Sequence, residues 1–105
     1  MSVIMTMVLE GDGENLERWA AEHPDEIRAI RDHAVEHGLI AHRFYGSGGH
    51  IMVVDEWPDA DSFLHFFGHV EAEVGAMMGA VGISGQPQPQ FWRELESQDE
   101  YGWGA

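Results

Sequence analysis

The sequence predicts a single α+β domain in which an antiparallel four-stranded sheet carries two helices on one face. Three observations lead there. The chain has 105 residues, enough for one small hydrophobic core and too few for two. Strand-like and helix-like runs alternate in the order strand, helix, strand, strand, helix, strand. The two central strands are joined by Gly46-Ser47-Gly48-Gly49, a hairpin signal because glycine tolerates the positive φ that such turns demand.

Residues 3–9 form an apolar, β-branched and Met-rich run of strand length that stops at the turn cluster Glu10-Gly11-Asp12-Gly13. Helical spacing follows over 14–37, with Leu16, Trp19 and Ala20 before Pro24, then Ile27, Ile30 and Ala34, and Gly38 as the stop. Pro24 lies inside this run and predicts a kink or a split. Residues 39–45 and 50–57 are the hairpin strands, expected to turn at Ser47-Gly48. Asp59 then reads as the N-cap of a second helix with the apolar stripe Phe63, Phe67, Val70, Val74 and Met77. Glycines over 75–85 predict that this helix frays there. The segment Gln86-Pro87-Gln88-Pro89-Gln90 leads into a short last strand over 91–95, which Pro89 assigns to a sheet edge.

This order is the split βαβ plan of ferredoxin-like domains. The domain is expected over residues 1–95, with 96–105 as an acidic C-terminal tail, either disordered or laid on a partner subunit. Two strands are apolar at both alternating sets of positions: Val3, Met5, Met7 and Leu9 beside Ile4 and Val8, and Ile51 and Val53 beside Met52 and Val54. Such alternation predicts a sheet buried on both faces. Two helices cover one face, so a homodimer with sheets packed face to face is expected to cover the other.

Five arginines, no lysine and nineteen carboxylates give a formal net charge of −14. That field repels phosphate backbones and anionic headgroups, so neither nucleic acid nor a membrane surface is expected as a partner. The absence of lysine removes Schiff-base and pyridoxal chemistry and the phosphate-loop lysine. The absence of cysteine removes thiol nucleophiles, disulfides and Cys-ligated metals, and it suits a reducing cytoplasm, the compartment expected. The N-terminus has no basic leader and reaches Glu10 after a short apolar run, which reads as neither a signal peptide nor a membrane span. The acidic side chains of the helical segments, among them Glu14, Glu17, Glu22, Glu36, Glu71 and Glu73, are read as a solvated outer surface.

Over the third strand and its exit, Ile51-Met52-Val53-Val54-Asp55-Glu56-Trp57-Pro58-Asp59-Ala60-Asp61-Ser62-Phe63, the sequence resembles the dimeric α/β-barrel superfamily and, more narrowly, its antibiotic-biosynthesis-monooxygenase-type domains. A strand ending in Glu-Trp, a short acidic helix start and then a Phe carry the resemblance, which extends over most of residues 3–95. It implies a ferredoxin-like chain assembled as a dimeric α/β barrel. It also implies activities ranging from cofactor-independent monooxygenation of aromatic polyketides to heme degradation, small isomerases and domains with no assigned activity. The heme-degrading branch does not fit: its tryptophan and axial histidine would fall at Phe66 and Ala76, and Asn15 is the chain's one asparagine. The resemblance therefore implies a monooxygenase-like protein with no cofactor, acting on or binding a small aromatic or apolar molecule. A non-catalytic ligand-binding or assembly domain is the alternative.

With the expected turn, His42 faces Val53 and lies diagonally near Asp55, on a face shared with Ile40, Phe44 and Ile51. A carboxylate there fixes the imidazole tautomer and presents a base for a phenolic proton; the other reading is a structural histidine. Phe44, Trp57, Phe66 and Phe67 are the candidate walls of a ligand pocket, and the same aromatics equally serve a plain core. Two His-x3-His spacings, His33/His37 and His65/His69, suit metal ligation on a helix. His65 points away from the apolar stripe, however, and neither pair has a third ligand at a diagnostic spacing, so no metal site is expected. Arg43 is expected in an ordinary ion pair, and none of the five serines sits in a nucleophile elbow.

Overall fold

In the computed structural model, which describes residues 1–103, the chain runs β1 (Val3–Glu10), α1 (Gly13–Glu22), α2 (Pro24–Glu36), β2 (Ala41–Ser47), β3 (His50–Trp57), α3 (Ala60–Val81) and β4 (Gln90–Trp92). The strands form one antiparallel sheet in the order β2-β3-β1-β4, the ferredoxin-like arrangement. The last residues of the expected tail, Gly104 and Ala105, lie outside the described residues.

Pro24 splits the first helical run rather than kinking it. Proline lacks an N–H and forces its predecessor out of the α region, and His23 sits at φ −130°, ψ 53°. The His23 backbone N–H caps α1 on the Trp19 carbonyl, while Pro24 opens α2 at a position where its missing N–H costs nothing. Each segment then turns its own apolar residues inward, Leu16 and Trp19 from α1 and Ala34 from α2.

The hairpin turns one residue later than expected. Gly48 and Gly49 have φ of +51° and +82°, so both centres of the two-residue turn are left-handed and Ser47 pairs with His50. Within Gly46-Ser47-Gly48-Gly49 only this choice puts glycine at both centres. The shift moves every cross-strand pairing by two positions, so each side chain keeps its predicted face and His42 lands directly opposite Asp55.

Helix α3 begins where expected, with the Asp59 carboxylate accepting from the Ser62 backbone N–H at 2.8 Å. It does not fray at Gly75 but continues to Val81 and ends on left-handed Gly82, φ +85°. Met77, Met78 and Val81 are buried in this last stretch. Burying such side chains stabilises by roughly 1.5–3 kcal/mol each, which outweighs the ~1 kcal/mol cost of each helical glycine. Phe67 and Val74, expected on the central stripe, are only partly buried, and Phe66 is buried in their place. Strand β4 occupies a sheet edge, as Pro89 implies, but is shorter than expected: it pairs only with Ile4, Met5 and Thr6, and Leu95 stays exposed.

Between sheet and helices lie two core clusters. One joins Met5, Met7, Val53 and Trp57 to Ala34, Phe63, Phe66 and Val70. The other joins Leu9 and Ile51 to Leu16, Trp19, Met77, Met78, Val81 and Ile83. The opposite sheet face carries Ile4, Val8, Met52 and Val54 with no helix over it, and Val8, Tyr45 and Trp92 on this side are each at least half exposed in the single chain. Among the described residues no helix is long and apolar enough to cross a membrane.

The Ser62 backbone N–H, and after it the Ser62 hydroxyl, holds the Asp59 carboxyl below its ordinary value of 3.8. A depressed carboxyl stabilises the fold fully above its unfolded pKa and loses that contribution as pH falls through the folded value. Asp59→Ala is therefore expected to lower the thermal midpoint by on the order of 4 °C at neutral pH. In melts followed by circular dichroism the gap narrows as pH is brought below 3.8 and on through the lower folded value; a constant gap would count against this role for the cap.

Candidate functional site

Strand alternation supplies the site. Asp55 and Trp57 of β3 and His42 and Phe44 of β2 all point to the helix side of the sheet, and the hairpin register sets His42 across from Asp55. The His42 Nδ1–H donates to Asp55 Oδ1 at 2.6 Å, and the Trp57 Nε1–H donates to Asp55 Oδ2 at 3.1 Å. Asp55 is only 6% exposed and is the buried charged side chain among the described residues. An ionised carboxylate survives such burial only with partners, and here each oxygen has one. A carboxylate can only accept, so the proton of neutral His42 resides on Nδ1 and Nε2 keeps its lone pair. The ring is held from the side as well, edge-on to Phe44 with centroids 4.8 Å apart.

His42 and Asp55 are on the wall of a cavity of about 250 Å³ between the sheet and helices α2 and α3. Met7, Phe44 and Val53 line it from the sheet, Ile27, Ile30 and Ala34 from α2, and Phe63, Phe66, Phe67 and Val74 from α3. Members of both core clusters take part, so the cavity lies where the two halves of the core meet. Its polar lining residues are few: His42, Asp55, Arg28 and Arg31, and the Arg31 guanidinium is already paired with the Asp32 carboxylate at 2.8 Å.

Of the residues singled out from sequence, His42, Asp55, Phe44, Phe66 and Phe67 come together around this one space. Trp57 does not line it; fully buried, it stands behind Asp55 and reaches the site through its indole N–H. Arg43 donates to the His42 backbone carbonyl at 2.7 Å instead of joining an ion pair. Trp103 of the tail is fully exposed and takes no part in the cavity.

Two features escaped the sequence reading. Arg28 and Arg31 flank Ile27 and Ile30 on α2 at a spacing that puts them on the border of its apolar face, a signal that was present in the pattern. The two His-x3-His pairs, treated as separate, meet across the α2–α3 seam: the His37 ring lies 5.4 Å from that of His65 and 5.5 Å from that of His69. The spacing was legible, whereas the axial alignment of the two helices was not.

No family model matches the sequence, and no curated protein matches it. Solved structures do match the fold. A Streptomyces coelicolor monooxygenase in complex with nanaomycin D aligns over 91% of this chain and 89% of its own, with TM-score 0.66 and 16% identity. SnoaB, a cofactor-independent oxygenase from Streptomyces nogalater, aligns over 94% and 98% with TM-score 0.62 and 11% identity. A dimeric ferredoxin-like protein from an uncultured marine organism aligns over 91% and 90% with TM-score 0.61 and 12% identity. The chain thus has the fold of the antibiotic-biosynthesis-monooxygenase-type ferredoxin-like domains.

Trp57→Phe removes one of the two donors to the buried Asp55 carboxylate together with part of a fully buried ring. It is expected to cost about 1–3 kcal/mol in urea denaturation. A loss of only a few tenths would mean that His42 alone satisfies the carboxylate.

Proposed function

We propose that the cavity binds a small aromatic molecule and that the chain oxidises it with dioxygen and no bound cofactor, His42 acting as the base. The carrying observation is an imidazole oriented by a buried carboxylate on the wall of an otherwise apolar cavity. At about 250 Å³ the space is larger than the roughly 150 Å³ that takes benzene and smaller than the ~300 Å³ at which drug-sized pockets begin. A compact fused-ring molecule suits it. His42 Nε2 takes a proton from an acidic C–H or O–H of the ligand, Asp55 balances the imidazolium, and the positive charge of Arg28 at the cavity wall favours the ligand anion. The anion reduces dioxygen: one oxygen atom becomes a ring carbonyl where a CH₂ stood, and the other leaves as water. Phe44, Phe66 and Phe67 hold the ring system, and Trp57 acts through Asp55. The same fold in two proteins described as oxygenases supports this reading.

The protein works as a homodimer on this reading, its open sheet faces packed together, and the cysteine-free chain operates in the cytoplasm. The uncovered apolar face of β1 and β3 supports the dimer, as does the fold shared with a dimeric ferredoxin-like protein.

Oxygen uptake with an anthrone-like substrate is expected to fall about 10²–10⁴-fold in His42→Ala. Unchanged turnover would end the mechanism. Ligand binding by the native chain without oxygen uptake would instead assign it to a non-catalytic binding domain. Light scattering after size exclusion is expected to give a dimer at micromolar concentration, and Val8→Asp combined with Val54→Asp a monomer. A monomeric native chain would contradict the face-to-face assembly.

A further inference from the structure

Helices α2 and α3 lie side by side over the sheet and bring together two histidine pairs, His33/His37 and His65/His69, each at i, i+4 spacing. His37, His65 and His69 each offer a ring nitrogen, and these three atoms lie within 4.8 Å of one another. The Nε2 atoms of His65 and His69 are 3.3 Å apart. Two imidazole nitrogens at ~2.05 Å from one tetrahedral ion are about 3.3 Å apart, so this pair already has the separation of two ligands. His37 Nδ1–H donates to the His33 carbonyl at 2.9 Å, which leaves the His37 Nε2 lone pair free. Ligand histidines are held in this way, with the second ring nitrogen bonded to a carbonyl or carboxylate. The His33 ring, stacked on that of His37 at 5.0 Å, restrains it further.

We propose that His37, His65 and His69 form a binding site for a divalent transition-metal ion of the zinc class, and that the bound ion clips α2 to α3. The third nitrogen need close by no more than the difference between 4.8 and 3.3 Å, and His65 and His69 are exposed and free to rotate by that much. Three neutral imidazoles select borderline cations such as Zn²⁺, Co²⁺, Ni²⁺ and Cu²⁺ over Mg²⁺ and Ca²⁺, which demand oxygen. The fourth position of a tetrahedral ion faces solvent and takes water. A chain at −14 enriches cations at its surface, which speeds capture without supplying selectivity. The site is outside the cavity but not remote from it: the rings of His33 and His37 lie 6.2 and 5.9 Å from Phe66, which lines the cavity from α3. The inference stands independently of the oxidation proposed above.

The test is zinc titration of the full chain, free of any affinity tag, by calorimetry in a magnesium-containing buffer. One saturable Zn²⁺ per chain is expected, together with a thermal midpoint that rises with zinc concentration and, with Co²⁺, the intense visible bands of tetrahedral coordination. His65→Ala combined with His69→Ala removes two exposed ligands and is expected to weaken binding about 100-fold with the fold intact by circular dichroism. His23→Ala combined with His50→Ala, outside the cluster, leaves it unchanged. Equal binding by the His65/His69 variant would show that the ion sits on the carboxylates, and the absence of saturable binding in the native chain would equally overturn the site.

Discussion

The buried carboxylate of Asp55 is the constraint around which the inner face of the sheet is built. A charge at that depth is tolerable only with a donor on each oxygen. Its two donors come from different strands: Trp57 follows two residues later on β3, and His42 arrives from β2 through the hairpin. Satisfying Asp55 therefore fixes the β2–β3 register and requires Trp57 to be buried beneath α3, where its ring meets Phe63 and Phe66 at 5.7 and 5.5 Å. Much of the hydrophobic packing of the first core cluster sits within one side chain of this polar centre.

The same interaction ties stability to chemistry. A structural ion pair would be expected to exclude everything else from its surroundings, yet His42 remains about one-third exposed while Asp55 is sealed. The sealed partner orients and the open partner faces the cavity. Placing the indole on the far carboxylate oxygen leaves the near one wholly to the imidazole. Four apolar or aromatic residues for every polar one then keep the cavity wall from competing for the His42 ring.

Most of the architecture was legible in the sequence because it depends on local rules: alternation in β1 and β3, glycines in the hairpin, Asp59 at a helix start and Pro24 as a breaker. The His42–Asp55 neighbourhood was legible for a less obvious reason, since misplacing the turn by one residue displaces partners by two and leaves faces unchanged. What failed were features settled by tertiary contact. The continuation of α3 through Gly75 and Gly79 depends on Leu9, Leu16 and Trp19 being there to bury Met77, Met78 and Val81. The role of Trp57 depends on where its indole nitrogen points, and the histidine cluster on how far along its axis one helix slides past another. Neither has a signature in spacing alone.

The two-glycine turn places an arithmetic condition on how this protein can change. Inserting one residue between Arg43 and Gly48 reverses the parity of β2, turning His42 out onto the open sheet face and bringing Arg43 opposite the buried carboxylate, and deleting one there turns His42 out likewise. Adding or removing two restores the parity but sets a different residue opposite Asp55. Length variation in this strand is thus quantised in pairs for the fold and forbidden altogether for the His42–Asp55 bond, so the residue count of β2 is constrained as tightly as the identity of His42 itself.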